Sequence, residues 1–186
     1  LDRDASRPAA ATTHSSTIET MATVTSRRTD VLMLLSHAGA PDPRVSKEAE
    51  TLHADGHRVH VLAWDRTGNH APLEEGEFRI ERLSAPSRGG SGLRQLSGFL
   101  RFWLWLVGRG RALRPGVVHA HDLDTFIPAY VLAKLLRIPL VFDSHELYRE
   151  MQTGRMPAPA LAAVGALERL AMRNSSRVIV VSHIAL

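Results

Sequence analysis

The run Val31-Leu32-Met33-Leu34-Leu35-Ser36-His37-Ala38-Gly39-Ala40-Pro41-Asp42-Pro43 decides the fold. Five consecutive apolar residues, closed by Ser36 and Gly39, suit a strand buried on both faces, as in a parallel sheet covered by helices. Asp42 then offers an N-cap and Pro43 suits a first helical position. Val45, Ala49 and Leu52 recur at helical spacing, and Gly56 stops the helix as a left-handed cap does. Val59, Val61 and Ala63 alternate with Arg58, His60 and Leu62, which predicts a second strand ending near Trp64. A strand–helix–strand unit of this kind calls for a right-handed crossover with its two strands parallel and adjacent.

The pattern continues toward the C-terminus. Residues 65–76 are polar, with Gly and Pro, and read as a loop; Phe78 to Leu83 reads as a third strand. After a loop over 84–92, Leu93 to Leu113 is helical and strongly apolar. Val117 to Ala120 is a short buried strand behind the breaker Pro115-Gly116. Asp124 to Leu136 is a helix, Pro139 to Phe142 a strand, Pro159 to Arg173 a helix and Arg177 to Val181 a last strand. The expected fold class is therefore α/β: a Rossmann-like parallel sheet with helices on both faces. Residues 1–29, rich in Ala, Ser, Thr and Arg, read as a disordered leader, with Met21 as a start position; 30–186 reads as the folded domain.

Composition narrows the function. Hydrophobic residues at 44% and charged residues at 23% are ordinary for a globular domain. The absence of cysteine excludes disulfides, thiolate nucleophiles and zinc–thiolate sites. The net charge of +4 is spread along the chain rather than concentrated in a stripe, so no nucleic-acid partner is expected.

Ligands of open parallel sheets bind beyond the carboxyl ends of the strands. Ser36, His37, Gly39 and Asp42 follow the first strand; His119, His121 and Asp122 fall at the end of the fourth. Asp143, Ser144, His145 and Glu146 follow the fifth, and Ser182 and His183 the sixth. Half of the ten histidines thus fall at one edge. Gly39 either permits a turn or lets the backbone approach a phosphate. Asp122 and Asp124 are also open to a plain N-capping role, and Glu146 to a favourable place near a helix dipole. His119 and His121, two apart on a strand, point to the same side. His145, flanked by Asp143 and Glu146, is the strongest candidate: it can hold a substrate hydroxyl or phosphate, its charge tuned by the two carboxylates.

His119-x-His121 with Asp122 and His145 also has the look of a metal-ligand set. The hydrolases that use such a pair at a strand end are closed barrels, and this chain has too few strand–helix units, so no metal is assigned. The first loop lacks a Gly-x-Gly-x-x-Gly fingerprint and no Walker lysine motif is present, which argues against dinucleotide binding and ATP hydrolysis. In Leu93–Leu113, the uncharged run between Arg101 and Arg109 is far too short to span a bilayer. Trp103 and Trp105, with Arg101 and Arg109, fit either an amphipathic helix on an anionic membrane surface or a helix packed on the sheet.

Three segments together resemble family-4 glycosyltransferases. They are Asp42-Pro43-Arg44-Val45-Ser46-Lys47-Glu48-Ala49 running to Gly56-His57-Arg58-Val59, then Val117-Val118-His119-Ala120-His121-Asp122, then Val141-Phe142-Asp143-Ser144-His145-Glu146-Leu147. The resemblance covers about residues 30–186. It implies the N-terminal, acceptor-side half of a GT-B enzyme, with the donor domain beyond Leu186. It further implies a retaining transfer from a nucleotide-sugar to a glycan or lipid-linked acceptor hydroxyl, with no metal or other cofactor.

By the same resemblance His145 and Asp122 are the catalytic positions, and the loop of His37, Gly39 and Asp42 faces the donor phosphates. His119, His121, Asp143, Ser144 and Glu146 are expected to line the acceptor cleft. The family's phosphate-binding second domain is not in the sequence, and His183 stands where Glu often follows the Ser. The chain alone is therefore expected to be inactive. The expected setting is cytoplasmic, with the inner face of the membrane as the candidate surface. The alternatives are a sugar-nucleotide epimerase of the same fold and a non-catalytic Rossmann-like binding module.

Overall fold

The computed structural model describes residues 28–39, 42–85, 93–144 and 156–180. The leader over 1–27 lies outside them. The described elements are β1 (Asp30–Leu35), α1 (Pro43–Ala54), β2 (Arg58–Asp65), β3 (Leu73–Glu75), β4 (Arg79–Ser84), α2 (Leu93–Leu113), β5 (Val117–His121), α3 (Leu123–Leu136), β6 (Leu140–Ser144), α4 (Ala158–Asn174) and β7 (Arg177–Val180).

The strands form one sheet in the order β3-β4-β2-β1-β5-β6-β7. Every pairing is parallel except β3 with β4. β1 is central, in register with Arg58–Ala63 on one side and Val117–Ala120 on the other. Its apolar run has no polar alternation because neither face meets water: Leu32 to Leu35 are all buried. The 65–76 stretch, expected to be a loop, contains β3. All three of its residues are exposed, so no hydrophobic period announces it; backbone pairing with β4 holds it.

Alternation sorts side chains onto two faces. Leu32, Leu34, Leu62, Trp64, Val118, Ala120 and Phe142 pack with α2, α3 and α4. Val31, Met33, Leu35, Val59, Val61, Ala63 and Ile80 pack with Val45 and Ala49 of α1. The first face is aromatic: Trp64 stacks on Phe102 at 4.9 Å and meets Phe99 edge-on at 5.0 Å, while Phe126 meets Phe142 edge-on. Each such side chain, fully buried, contributes about 1.5–3 kcal/mol from transfer out of water alone.

α2 and α3 approach closely at Gly110, where a Cβ would lie 2.4 Å from Leu132 Cδ2. Pro128 sits inside α3 and has no N–H for the Asp124 carbonyl four residues back. Trp103 Nε1 donates to that carbonyl instead, at 2.9 Å. A proline that would weaken an isolated helix is thus accommodated by its neighbour.

The chain runs from β1 outward through β2 to β4 and β3, then returns across β1 to β5, β6 and β7. The topological switch point lies between β1 and β5, the place where open α/β sheets bind ligands beyond the carboxyl ends of their strands.

Candidate functional site

The segments after β1 and β5 flank that switch point. Ser36 Oγ donates to Asp124 Oδ2 at 3.1 Å and joins the two. His37 Nδ1 accepts the Gly39 N–H at 3.1 Å, and His37 Nε2 lies 3.3 Å from Asp42 Oδ2. Burial holds the His37 imidazole below the usual histidine range, against the pull of Asp42 and Asp122. Neutral His37, accepting at Nδ1, carries its proton on Nε2, toward Asp42. Asp42 caps α1 by accepting from the amides of Arg44 and Val45. Burial pushes its carboxyl up, but those amides, His37 and Arg44 hold it below the usual carboxylate range.

Gly39 has φ +74, and a Cβ there would press on Leu35 Cδ1 at 3.3 Å, so glycine suits the position on both counts. The amide of Gly39 donates to His37, and those of Arg44 and Val45 donate to Asp42. Any phosphate at this loop must therefore meet other donors or displace these bonds.

Arg82, on β4, has no counterpart in the sequence reading. Nearly fully buried, it donates to Ala38 O at 2.7 Å, Ala71 O at 3.1 Å and Glu74 Oε2 at 2.8 Å. It clamps the β1 loop to the 66–75 segment. Asp65 organises the same segment: burial would raise its pKa, but the amides of His70, Gly68 and Thr67 and the Thr67 hydroxyl hold it far below the usual range. The Asp65 carboxylate is therefore a loop anchor.

Asp122 stands at the N-cap of α3, yet its side chain makes no capping hydrogen bond. Its backbone has φ 66 and ψ 165, a region close to glycine-only that costs a side-chain-bearing residue on the order of 1–3 kcal/mol. Strained residues of this kind cluster where function fixes the geometry. Thr125 supports the turn, its hydroxyl donating to His121 O at 2.7 Å.

His119 and His121 turn together toward α1, with ring centroids 4.1 Å apart. His119 Nδ1 is 3.8 Å and His121 Nε2 3.9 Å from Glu48 Oε2; His121 Nδ1 is 3.4 Å from Asp143 Oδ2. Asp143 is fully buried and Ser144, at the end of β6, nearly so. Glu48, from α1, is a cluster member that sequence reasoning missed. His145, Glu146, Ser182 and His183 lie outside the described residues.

On α2, Trp103 and Trp105 are half-buried against the core, and Arg109 donates to Glu81 Oε1 at 2.6 Å. Arg101 is exposed. The outward apolar face is carried by Leu96, Leu100 and Leu104, between 55% and 66% exposed. Among the described residues no helix is long and apolar enough to cross a membrane. A groove of about 810 Å³ opens at the opposite, amino end of the sheet, between Asp30, Arg58, Arg79 and Phe78, away from the rim just described.

A doubly wound sheet with its polar loops gathered at one switch point defines the class: one Rossmann-like half of a GT-B architecture. The chain belongs to the family described as the glycosyl transferase 4-like domain, which matches residues 39–185. Among solved structures, a sucrose-phosphate synthase from Thermosynechococcus elongatus matches with a TM-score of 0.61 and 18% identity, over 83% of this chain and 43% of that one. MurG from Acinetobacter baumannii matches at 0.51 and 14%, over 84% and 42%. Arabidopsis thaliana UGT89C1 complexed with UDP-L-rhamnose matches at 0.51 and 15%, also over 84% and 42%. Likeness at these identities concerns the fold. The chain spans about two fifths of the length of these structures. No curated protein matches it in sequence.

Proposed function

We propose that residues 30–186 are the acceptor-binding half of a retaining glycosyltransferase, which moves a sugar from a nucleotide-sugar to the hydroxyl of a glycan or lipid-linked acceptor. A second α/β domain, beyond this chain, supplies most of the nucleotide contacts. The observation that carries the reading is Asp122: a carboxyl-bearing residue held in a strained backbone conformation at the switch point, beside the His37–Gly39 loop.

Transfer breaks the bond from the anomeric carbon to the diphosphate and makes one to the acceptor oxygen. It needs a positioned hydroxyl and stabilised charge on the leaving group. Asp122 accepts a hydrogen bond from the acceptor hydroxyl, and His145 meets the transferring sugar and its departing phosphate. His119, His121, Asp143, Ser144 and Glu146 are assigned to the acceptor cleft. Nucleotide-sugar is a co-substrate, and no other cofactor takes part in the transfer.

A lipid-linked acceptor at the cytoplasmic face of a membrane is favoured by one observation. The exposed Leu96, Leu100 and Leu104 follow each other at four-residue spacing on a helix whose sequence contains arginine but no aspartate or glutamate. Such a face suits an anionic bilayer.

The test uses the full-length protein, nucleotide-sugars, and acceptors presented in solution or in anionic vesicles. His145→Ala and Asp122→Ala should each lower transfer by roughly 100-fold or more with the unfolding midpoint within a few degrees of wild type. Leu100→Glu should lower transfer only to acceptors held in vesicles. Unchanged transfer in His145→Ala removes that residue from the mechanism. An epimerised nucleotide-sugar without glycoside identifies an epimerase, and no turnover at all a binding module; either overturns the reading.

A further inference from the structure

The three motifs that carry the family resemblance converge on one buried point. Glu48 comes from the first, His119 and His121 from the second and Asp143 from the third. Parallel pairing makes this so. β5 lies between β1 and β6, with His121 in register with Asp143, and α1 crosses over the same face. One ligand atom from each of the four residues falls within 4.8 Å of all the others.

We infer that Glu48, His119 and His121 form a binding site for a divalent transition-metal cation of the zinc type, with Asp143 as the carboxylate that orients His121. The donor set is one carboxylate oxygen and two imidazole nitrogens, which is borderline-soft and free of thiolate. Tetrahedral coordination at about 2.0–2.1 Å sets ligand atoms roughly 3.4 Å apart. The Glu48–His119 and Glu48–His121 separations, 3.8 and 3.9 Å, need to close by only about half an ångström each.

The side chain best able to make that adjustment is Glu48, about a third exposed on a helix, while the two imidazoles are held by the sheet. A ligating histidine commonly directs its other nitrogen to a carboxylate, which fixes the tautomer and ring plane. His121 has that arrangement, with Nε2 toward Glu48 and Nδ1 toward Asp143. The cluster gathers two imidazoles and two carboxyl groups, donor types that a divalent cation of this class takes.

With water in the fourth position, the cation serves to hold elements of the fold together. It ties α1 to β5, one residue before Asp122, and through Asp143 to β6, two residues before His145. Its test needs no substrate and does not depend on the outcome of the transfer assays.

The experiment is titration of the full-length, chelator-treated protein with Co²⁺ and Zn²⁺ alone. Binding is read by calorimetry, by the visible absorption of bound Co²⁺ and by the shift of the unfolding midpoint. One equivalent should bind, with an intense four-coordinate Co²⁺ spectrum and a rise in midpoint. His119→Ala and His121→Ala should abolish the spectrum. Glu48→Gln, near-isosteric and partly exposed, should do so without loss of fold, and Asp143→Asn should weaken binding by about 10–100-fold. His53→Ala, on the last turn of α1, is the control and should bind as wild type does. Failure to take up one equivalent of either cation overturns the site. So does uptake undiminished by Glu48→Gln in a folded protein, which would place the bound cation elsewhere.

Discussion

On β5, Val118 and Ala120 turn toward α2 and α3, while His119 and His121, alternating with them, turn toward α1. On β6, Phe142 joins the aromatic layer and Asp143 joins the histidines. The same strands thus furnish an apolar face and a polar one. The α2–α4 face stacks Trp64, Phe99, Phe102, Phe126 and Phe142. The α1 face has a smaller aliphatic patch and beside it a buried cluster of two imidazoles and two carboxylates. One face buries a large aromatic and aliphatic layer; the other also gathers buried imidazoles and carboxyl groups. A period of two lets one sheet do both without compromise at any single position.

The largest effect expected on this contrast comes from Phe102→Ala. Phe102 is fully buried and stacked on Trp64, so the substitution should cost about 3–5 kcal/mol in denaturant unfolding. A cost below about 1 kcal/mol would deny the aromatic face its role.

Asp122→Gly sharpens the other side. Glycine adopts φ 66, ψ 165 without a Cβ penalty, so unfolding stability should rise by roughly 1 kcal/mol while transfer by the full-length enzyme falls. A fall in both would mean that the Asp122 side chain is structural.

The smallest effect is pH-dependent. The folded state holds His37 below its ordinary pKa, so the unfolded chain takes up that proton first as pH falls. Its contribution to stability should be flat above about pH 6.5, decline below that and level off beneath the folded-state value. His60, held down by burial against the pull of Glu81, adds a slope of the same sign. His37→Gln should remove its own share; an unaltered acid slope would place His37 outside the loop's titration.

Much of this contrast is legible in the chain. The unbroken run 31–35 gives a central strand because only such a strand lacks a wet face. Asp42-Pro43 and Gly56 bracket α1 because capping chemistry is local. Rim residues after β1 and β5 can be named in advance, since parallel sheets present their loops at one edge. Other features leave no local trace. β3 consists of three exposed residues held by pairing alone. Glu48 and Arg82 look like ordinary charged positions until α1 and β4 bring them to His121 and Ala38. Trp103 looks like a membrane anchor until Pro128 leaves a carbonyl for it to satisfy.

The sequence by itself determined the order of strands and helices (apart from β3), the caps of α1, and which residues share a face or an edge. These follow from side-chain period and backbone chemistry within a few residues. Only the tertiary structure decided which face meets which: that α1 carries a carboxylate to the β5 histidines, that a buried arginine clamps the first loop, and that Asp122 is held in a strained turn. The physical reason is that such contacts join residues tens of positions apart, through packing that no local period encodes.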